Sequence, residues 1–240
     1  MARSMMLTEM KQLQLALPLD ASQDDFRKAI ETRNLLAKPT QSSRHGSYRH
    51  LVTLYGLDFQ KPLFRAMRRL AKDQPSDLPL LAMLCVYGRD PQLRHSFKLI
   101  DGLAPGTVLP REKMEEHLEL GFPGQFSEAM RMSLAQNVNT TWTASGHLAG
   151  RAKKIRSLPR PAWAASTYAM FVGYLMGLRG EILLGSVFAR LVSAAPAQLL
   201  AHLTTAASRH WLRLRHAGGV VEIDFSQLAQ TKGATAHVPD

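Results

Sequence analysis

The chain carries a single cysteine, Cys85, in 240 residues. One thiol excludes an internal disulfide framework and any cysteine-rich zinc site. Cys85 lies in LPLLAMLCVYG among apolar neighbours, and reads as a buried structural thiol in a protein of the reducing cytoplasm. The opening MARSMMLTEMKQLQLALPLD has no apolar run ending at a small-residue cleavage site, so no signal peptide is expected. A membrane-spanning run is also missing, since a span needs roughly 20 mostly apolar residues. The nearest approach is AWAASTYAMFVGYLMGL at 162–178, which contains Ser166, Thr167, Tyr168 and Tyr174. It predicts a buried core helix, with Gly173 and Gly177 spaced for close helix packing.

Recognisable catalytic chemistry is missing too. No G-x-x-x-x-G-K-[ST] phosphate loop occurs. The nine histidines are scattered, and His45 and His50 are five apart, off the spacing of a helical metal pair. Neither Ser145 nor Cys85 has an evident partner along the chain. The expectation is a non-enzymatic protein with no cofactor and no metal site.

What the chain does have is positive charge. Thirty Lys and Arg stand against 19 Asp and Glu, for a net charge of +11 and a pI near 10.2. That balance favours an acidic partner such as nucleic acid, an anionic surface or an acidic protein. The charge is blocked. Residues 27–72 hold 11 basic and 2 acidic residues, and residues 144–216 hold 10 and 1; between them, 73–143 hold 6 and 9. Two basic regions flanking an acidic middle suggest two contact surfaces, or one assembled from both.

The first basic block predicts a helix-turn-helix-like pair. In LDASQDDFRKAIETRN, Ser22 can cap a helix whose first turn carries Asp24 and Asp25, and Phe26 and Ile30 follow at helical spacing. Pro39 interrupts, and Thr40 or Ser42 can cap the next helix, QSSRHGSYRHLVTLYG. Tyr48, Leu51, Val52 and Tyr55 form its core stripe. Ser42, Ser43, Gly46, Arg49, His50 and Thr53 point the other way, and Arg44 lies in the first turn, from which it can reach outward. Such a helix can present small polar residues to a DNA groove while arginines hold phosphates. Gly46 costs about 1 kcal/mol against alanine in mid-helix. It marks either a tight helix–helix contact or close approach to a nucleic-acid backbone.

Further basic faces follow. PLFRAMRRLAKD predicts a helix with Leu63, Met67 and Leu70 inward and Arg65, Arg68, Arg69 and Lys72 outward. HLAGRAKKIRS places Arg151, Lys153, Lys154 and Arg156 within six residues, with Arg160 just beyond. WLRLRHAGGVVEIDF alternates about Gly218-Gly219 and predicts a hairpin. After a helix, that hairpin makes a wing carrying Arg209, Arg213 and Arg215. Glu115, Glu116 and Glu119 predict a solvated acidic face or a surface for a basic partner.

IETRNLLAKPTQSSRHGSYRHLVTLYGL and NVNTTWTASGHLAGRAKKIR resemble two segments of the BrxA family, small proteins of BREX bacteriophage-exclusion systems. The resemblance spans roughly residues 22 to 225. It implies a mainly α protein with two helical subdomains and helix-turn-helix-like elements at Thr40 to His50 and Trp142 to Arg156, to which the residue pattern adds a small C-terminal β-hairpin wing. It implies non-enzymatic binding of double-stranded DNA beside a methyltransferase, an ATPase and a phosphatase-like partner of the same system. The expected organisation is an N-terminal arm or short strand (1–21), subdomains at 22–120 and 121–228, and a flexible tail (229–240). DNA-binding residues are expected at Ser42, Ser43, Arg44, Gly46, Arg49, His50, Arg65, Arg68, Arg69, Arg151, Lys153, Lys154, Arg156, Arg213 and Arg215. Two other readings stand beside this one: an adaptor docking acidic partners, and a dimeric transcriptional regulator with a palindromic operator. An inner-membrane label attached to the family is not supported by this composition.

Overall fold

A computed structural model describes residue 1, residues 3–217 and residues 220–230, the side chains at 216, 217 and 220 excepted. The expected Gly218-Gly219 turn and most of the expected tail lie outside these residues. The fold is mainly α, ending in an antiparallel hairpin.

The first helix, α1 (Leu7–Ala16), replaces the expected arm or short strand. Leu13, Leu15, Leu17 and Leu19 alternate, but every second member of an alternating series also falls at helical i, i+4 spacing. Leu13 and Leu17 are buried with Met10, while Leu15 is 79% exposed. A capping box opens α2 (Gln23–Arg27): the Ser22 hydroxyl accepts from the Asp25 amide, and the Asp25 carboxylate accepts from the Ser22 amide. This helix continues as a π-helical turn over Lys28–Thr32, burying Phe26 and Ile30. After a loop with Asn34 and Ala37 at positive φ, α3 (Gln41–Tyr55) starts from a second capping box, Thr40 with Ser43. It ends at Gly56, whose φ of +83° favours glycine. Leu51 and Tyr55 are buried as the spacing predicts, but the stripe is rotated toward Ser47 and Leu54, leaving Tyr48 and Val52 half-buried.

Next come α4 (Pro62–Asp73), α5 (Leu78–Tyr87) and α6 (Pro91–Asp101), then strand β1 (Val108–Leu109), α7 (Arg111–Gly121) and α8 (Glu128–Ala144). The second predicted helix-turn-helix-like element, Trp142 to Arg156, is corrected here. Its residues form the end of α8 and a tight hairpin of β2 (Leu148–Ala149) and β3 (Lys154–Arg156). Glycines set this outcome. Gly146 and Gly150 have φ of +83° and +90°, and a Cβ on Gly150 would stand 2.2 Å from the Lys153 carbonyl oxygen. β3 is central in a three-stranded antiparallel sheet, between β1 and β2.

The chain continues through α9 (Trp163–Leu175), α10 (Glu181–Leu184), α11 (Val187–Leu191) and α12 (Pro196–Ser208). The hairpin β4 (Arg213–Ala217) and β5 (Val220–Asp224) and the short α13 (Ser226–Ala229) complete it. The predicted alternation holds: Leu212, Val221, Ile223 and Phe225 are buried.

Two helices are apolar all round, α5 and α9, and they pack on each other at the centre. α9 also packs on α4, so the core runs without a break from α1 to α13. Gly173 lets α10 and α11 approach: a Cβ there would lie 2.8 Å from Leu183 and 2.9 Å from Phe188. Gly177 lies beyond the helix with nothing near it, so the predicted glycine pair is not a packing pair. Among the described residues no single helix is long and apolar enough to cross a membrane.

Candidate nucleic-acid interface

The polar face of α3 is built from the cap upward. The Ser43 hydroxyl donates to the Thr40 carbonyl at 2.8 Å and accepts from the Thr40 amide at 3.1 Å. Ser43 therefore belongs to the helix cap, a correction to its expected place at a groove. Ser42 is exposed. Arg44 is half-buried, its Nε 3.4 Å from the Lys38 carbonyl oxygen. Across the helix, His45 lies 2.8 Å from Glu31, which also accepts from Arg27, and this ties α3 to the π-helical turn. The intervening connection, residues 33–40, is longer than the three or four residues of a typical helix-turn-helix.

Among the described residues, Gly46 has nothing within 4 Å of the position a Cβ would take. A tight contact with another described helix is thereby removed as the reason for this glycine. One turn on, Arg49 is exposed with no hydrogen bond or ion pair among the described residues. His50 is half-buried. Burial, with Arg3 and Arg49 close by, lowers its pKa below 6.5 and keeps it neutral at pH 7. His50 is thus a neutral hydrogen-bonding group rather than a phosphate-holding cation. Arg3 is a member of this cluster that sequence reading missed, because only the tertiary fold brings Arg3 and Met5 beside α3. The Tyr55 hydroxyl donates to the Met5 carbonyl and the Met5 amide donates to Thr141, which fixes that segment between α3 and α8.

Three expected phosphate contacts turn inward. Arg65 is 2% exposed; it donates to the carbonyls of Phe59 and Gln60 at 2.9 and 3.0 Å and to that of Ala229. Arg68 is 1% exposed, bonds Gln14 and the carbonyls of Leu17, Pro18 and Leu19, and stacks 5.1 Å over Phe26. Burial lowers its pKa to about 10. Arg156 is 5% exposed and donates to His147 and Ser157 carbonyls. In each case the planar guanidinium satisfies several chain-end carbonyls at once. Arg69 is half-buried, stacked 4.9 Å over Trp211 and bonded to the Gln227 carbonyl. Lys154 bonds the Gly150 carbonyl at 2.8 Å within its own hairpin. Arg209 lies 3.7 Å from Asp73 and 5.1 Å over Trp163.

Arg151 and Lys153 remain exposed at the tip of the β2–β3 hairpin, without partners among the described residues. Arg213 and Arg215 are exposed on β4, Arg215 within 3.7 Å of Glu222. Of the basic residues expected at the DNA, Arg49, Arg151, Lys153, Arg213 and Arg215 are exposed, and Arg3 joins them.

Comparison with protein-family models, with curated proteins and with solved structures finds no match to this chain. Two serine–histidine pairs emerge that the linear sequence did not show, correcting the reading of Ser145 as partnerless. Ser145 lies 2.9 Å from His147 Nδ1, and Ser166 lies 2.7 Å from His202 Nδ1. Both serines are buried, and His147 donates from Nε2 to the Leu191 carbonyl with its pKa lowered to about 3 by burial. Ser145, His147 and Ser166 lie inside the core, while His202 is half-buried, and each pair satisfies polar groups of its own elements. Among the described residues no group of three or more His, Cys, Asp or Glu side chains could hold a metal ion.

Proposed function

We propose that this protein is a non-enzymatic double-stranded DNA-binding component of a BREX phage-exclusion system, of the BrxA kind, acting in the cytoplasm beside the system's methyltransferase, ATPase and phosphatase-like proteins. The observation that carries the reading is the open face of α3. A glycine that no internal neighbour requires lies one turn from Arg49, with Ser42 and Thr53 exposed on the same helix. Small residues there admit a backbone from outside, while Arg49 and Arg3 supply charge for phosphates. Arg151 and Lys153 at the tip of the β2–β3 hairpin and Arg213 on the exposed face of β4 add further cations.

The test is fluorescence anisotropy with a short labelled duplex across a salt series. Saturable binding with a steep negative slope of log affinity against log salt is expected, the slope reporting the number of phosphates contacted. Absence of binding at low salt overturns the reading.

A second reading has an observation of its own. Glu112, Glu115, Glu116 and Glu119 line a hollow together with Leu120, which is 80% exposed. An adaptor docking a basic, partly apolar segment fits that surface. Co-purification with the other system proteins that survives nuclease treatment and is lost in Leu120→Glu favours the adaptor.

A further inference from the structure

We propose that the groove between the β3–α9 linker and the first turn of α12 binds a phosphate group. Two adjoining hollows make up this groove. One, of about 540 Å³, is lined by Arg156, Ser157, Arg160, Ser193 and Gln198. The other, of about 400 Å³, shares Arg156 and Ser193, is lined also by the Asp101–Arg190 ion pair, and reaches Ala195 and Pro196. Both lie in the size range of small-ligand sites, roughly 300–1,000 Å³.

Arg156 is the observation that points to a ligand. Its side chain is buried, yet Nε has no hydrogen-bond partner, and Nη2 has none among the described residues. Only Nη1 is engaged, by the His147 and Ser157 carbonyls. Asp101, the nearby carboxylate, is taken up by Arg190 at 2.9 Å. A buried guanidinium whose Nε donor is unmatched is costly, and an arriving oxyanion offsets that cost. Two oxygens of a phosphate match a guanidinium edge.

The opposite wall independently suits an anion. α12 is 13 residues long and opens with Ala195 at the cap, so no side chain satisfies its first amides. Pro196 has no N–H, which leaves the amides of Ala197 and Gln198 free at the positive end of the helix dipole. Arg160, exposed and without a partner among the described residues, adds a second cation on the linker side. This site does not depend on DNA binding at α3.

The experiment titrates inorganic phosphate into the full chain at ionic strength held constant with chloride, read by thermal shift and by ³¹P line broadening. Saturable stabilisation beyond the chloride control is expected. Gln198→Glu places a carboxylate in the first turn of α12, where it caps the helix and occupies the groove. That variant should melt at or above the parent temperature while its phosphate affinity falls about tenfold or more, as for loss of one charged hydrogen bond. Arg160→Ala should weaken phosphate several-fold without a change in melting. No saturable effect in the parent protein, or equal affinity in Gln198→Glu, overturns the proposal. Competition then identifies the source of the group. Displacement of a labelled duplex by phosphate at fixed ionic strength identifies a DNA phosphate; phosphate that binds while the duplex stays identifies a free phosphate ester, tested next with a nucleoside monophosphate.

Discussion

Alanine at position 46 would meet no neighbour among the described residues, and helix propensity favours it over glycine by about 1 kcal/mol. Gly46→Ala should therefore raise the melting temperature. If a nucleic-acid backbone approaches this face, the same methyl should weaken duplex binding about fivefold, the equivalent of roughly 1 kcal/mol. Opposite signs in melting and anisotropy mark a functional glycine; a higher melting temperature with unchanged affinity removes α3 from the interface. Arg68 behaves in the other manner. It holds the carbonyls of Leu17, Pro18 and Leu19 between α1 and α2, and the Leu17 bond is buried, so Arg68→Met leaves that carbonyl without its donor. A loss of about 1–3 kcal/mol in urea unfolding is expected, the cost of one buried acceptor left unsatisfied. Arg49→Ala, on an exposed side chain, should leave unfolding unchanged and lower duplex affinity. The sequence placed Arg49 and Arg68 in the same class, because an arginine on a helical wheel carries no sign of which carbonyls lie beyond it.

At the scale of elements, local rules were readable where they are local. The capping boxes at Ser22 and Thr40, the glycine stop at Gly56 and the alternation of the C-terminal hairpin all follow from residues a few positions apart. The region 142–156 was not read correctly. The family resemblance placed a helix-turn-helix-like element there, while Gly146 and Gly150 at positive φ fold it into a hairpin. That change moves the charge: Arg151 and Lys153 crown the tip, while Arg156 and Lys154 turn back into the protein. The double variant Arg151→Ala, Lys153→Ala should weaken binding on all duplex sequences alike. It should also reduce the salt slope by about 1.8, at roughly 0.9 for each phosphate no longer neutralised. An unchanged slope would exclude the hairpin tip from the interface, leaving Arg3 and Arg49 as the cations beside α3.

For the whole molecule, pH is the informative variable. Burial lowers the pKa values of His50, His117, His147 and His202, that of His147 to about 3. Above pH 6.5 these groups are neutral folded and unfolded, and their environment exacts nothing. As pH falls through 6.5, the unfolded chain takes up protons that the folded chain refuses, so stability is lost progressively toward pH 3. Melting temperature should fall steadily from pH 7 to pH 4. His147→Gln should flatten that slope even if it lowers stability at pH 7; an unaltered slope would mean that His147 does not titrate as a buried group. Asp77, raised by burial, works in the opposite direction at lower pH.

The sequence by itself determined the class of fold, the helix starts at Ser22 and Thr40 and the stop at Gly56, the core character of α5 and α9, and the excess of positive charge. These depend on composition and on spacings within one or two turns. Only the tertiary structure decided which charges face water. Arg65, Arg68 and Arg156 are drawn inside by carbonyls left at the ends of other elements, and Arg3 joins α3 through a segment pinned between α3 and α8. Whether an arginine meets solvent or a carbonyl depends on partners up to 164 residues away, and no local pattern carries that information.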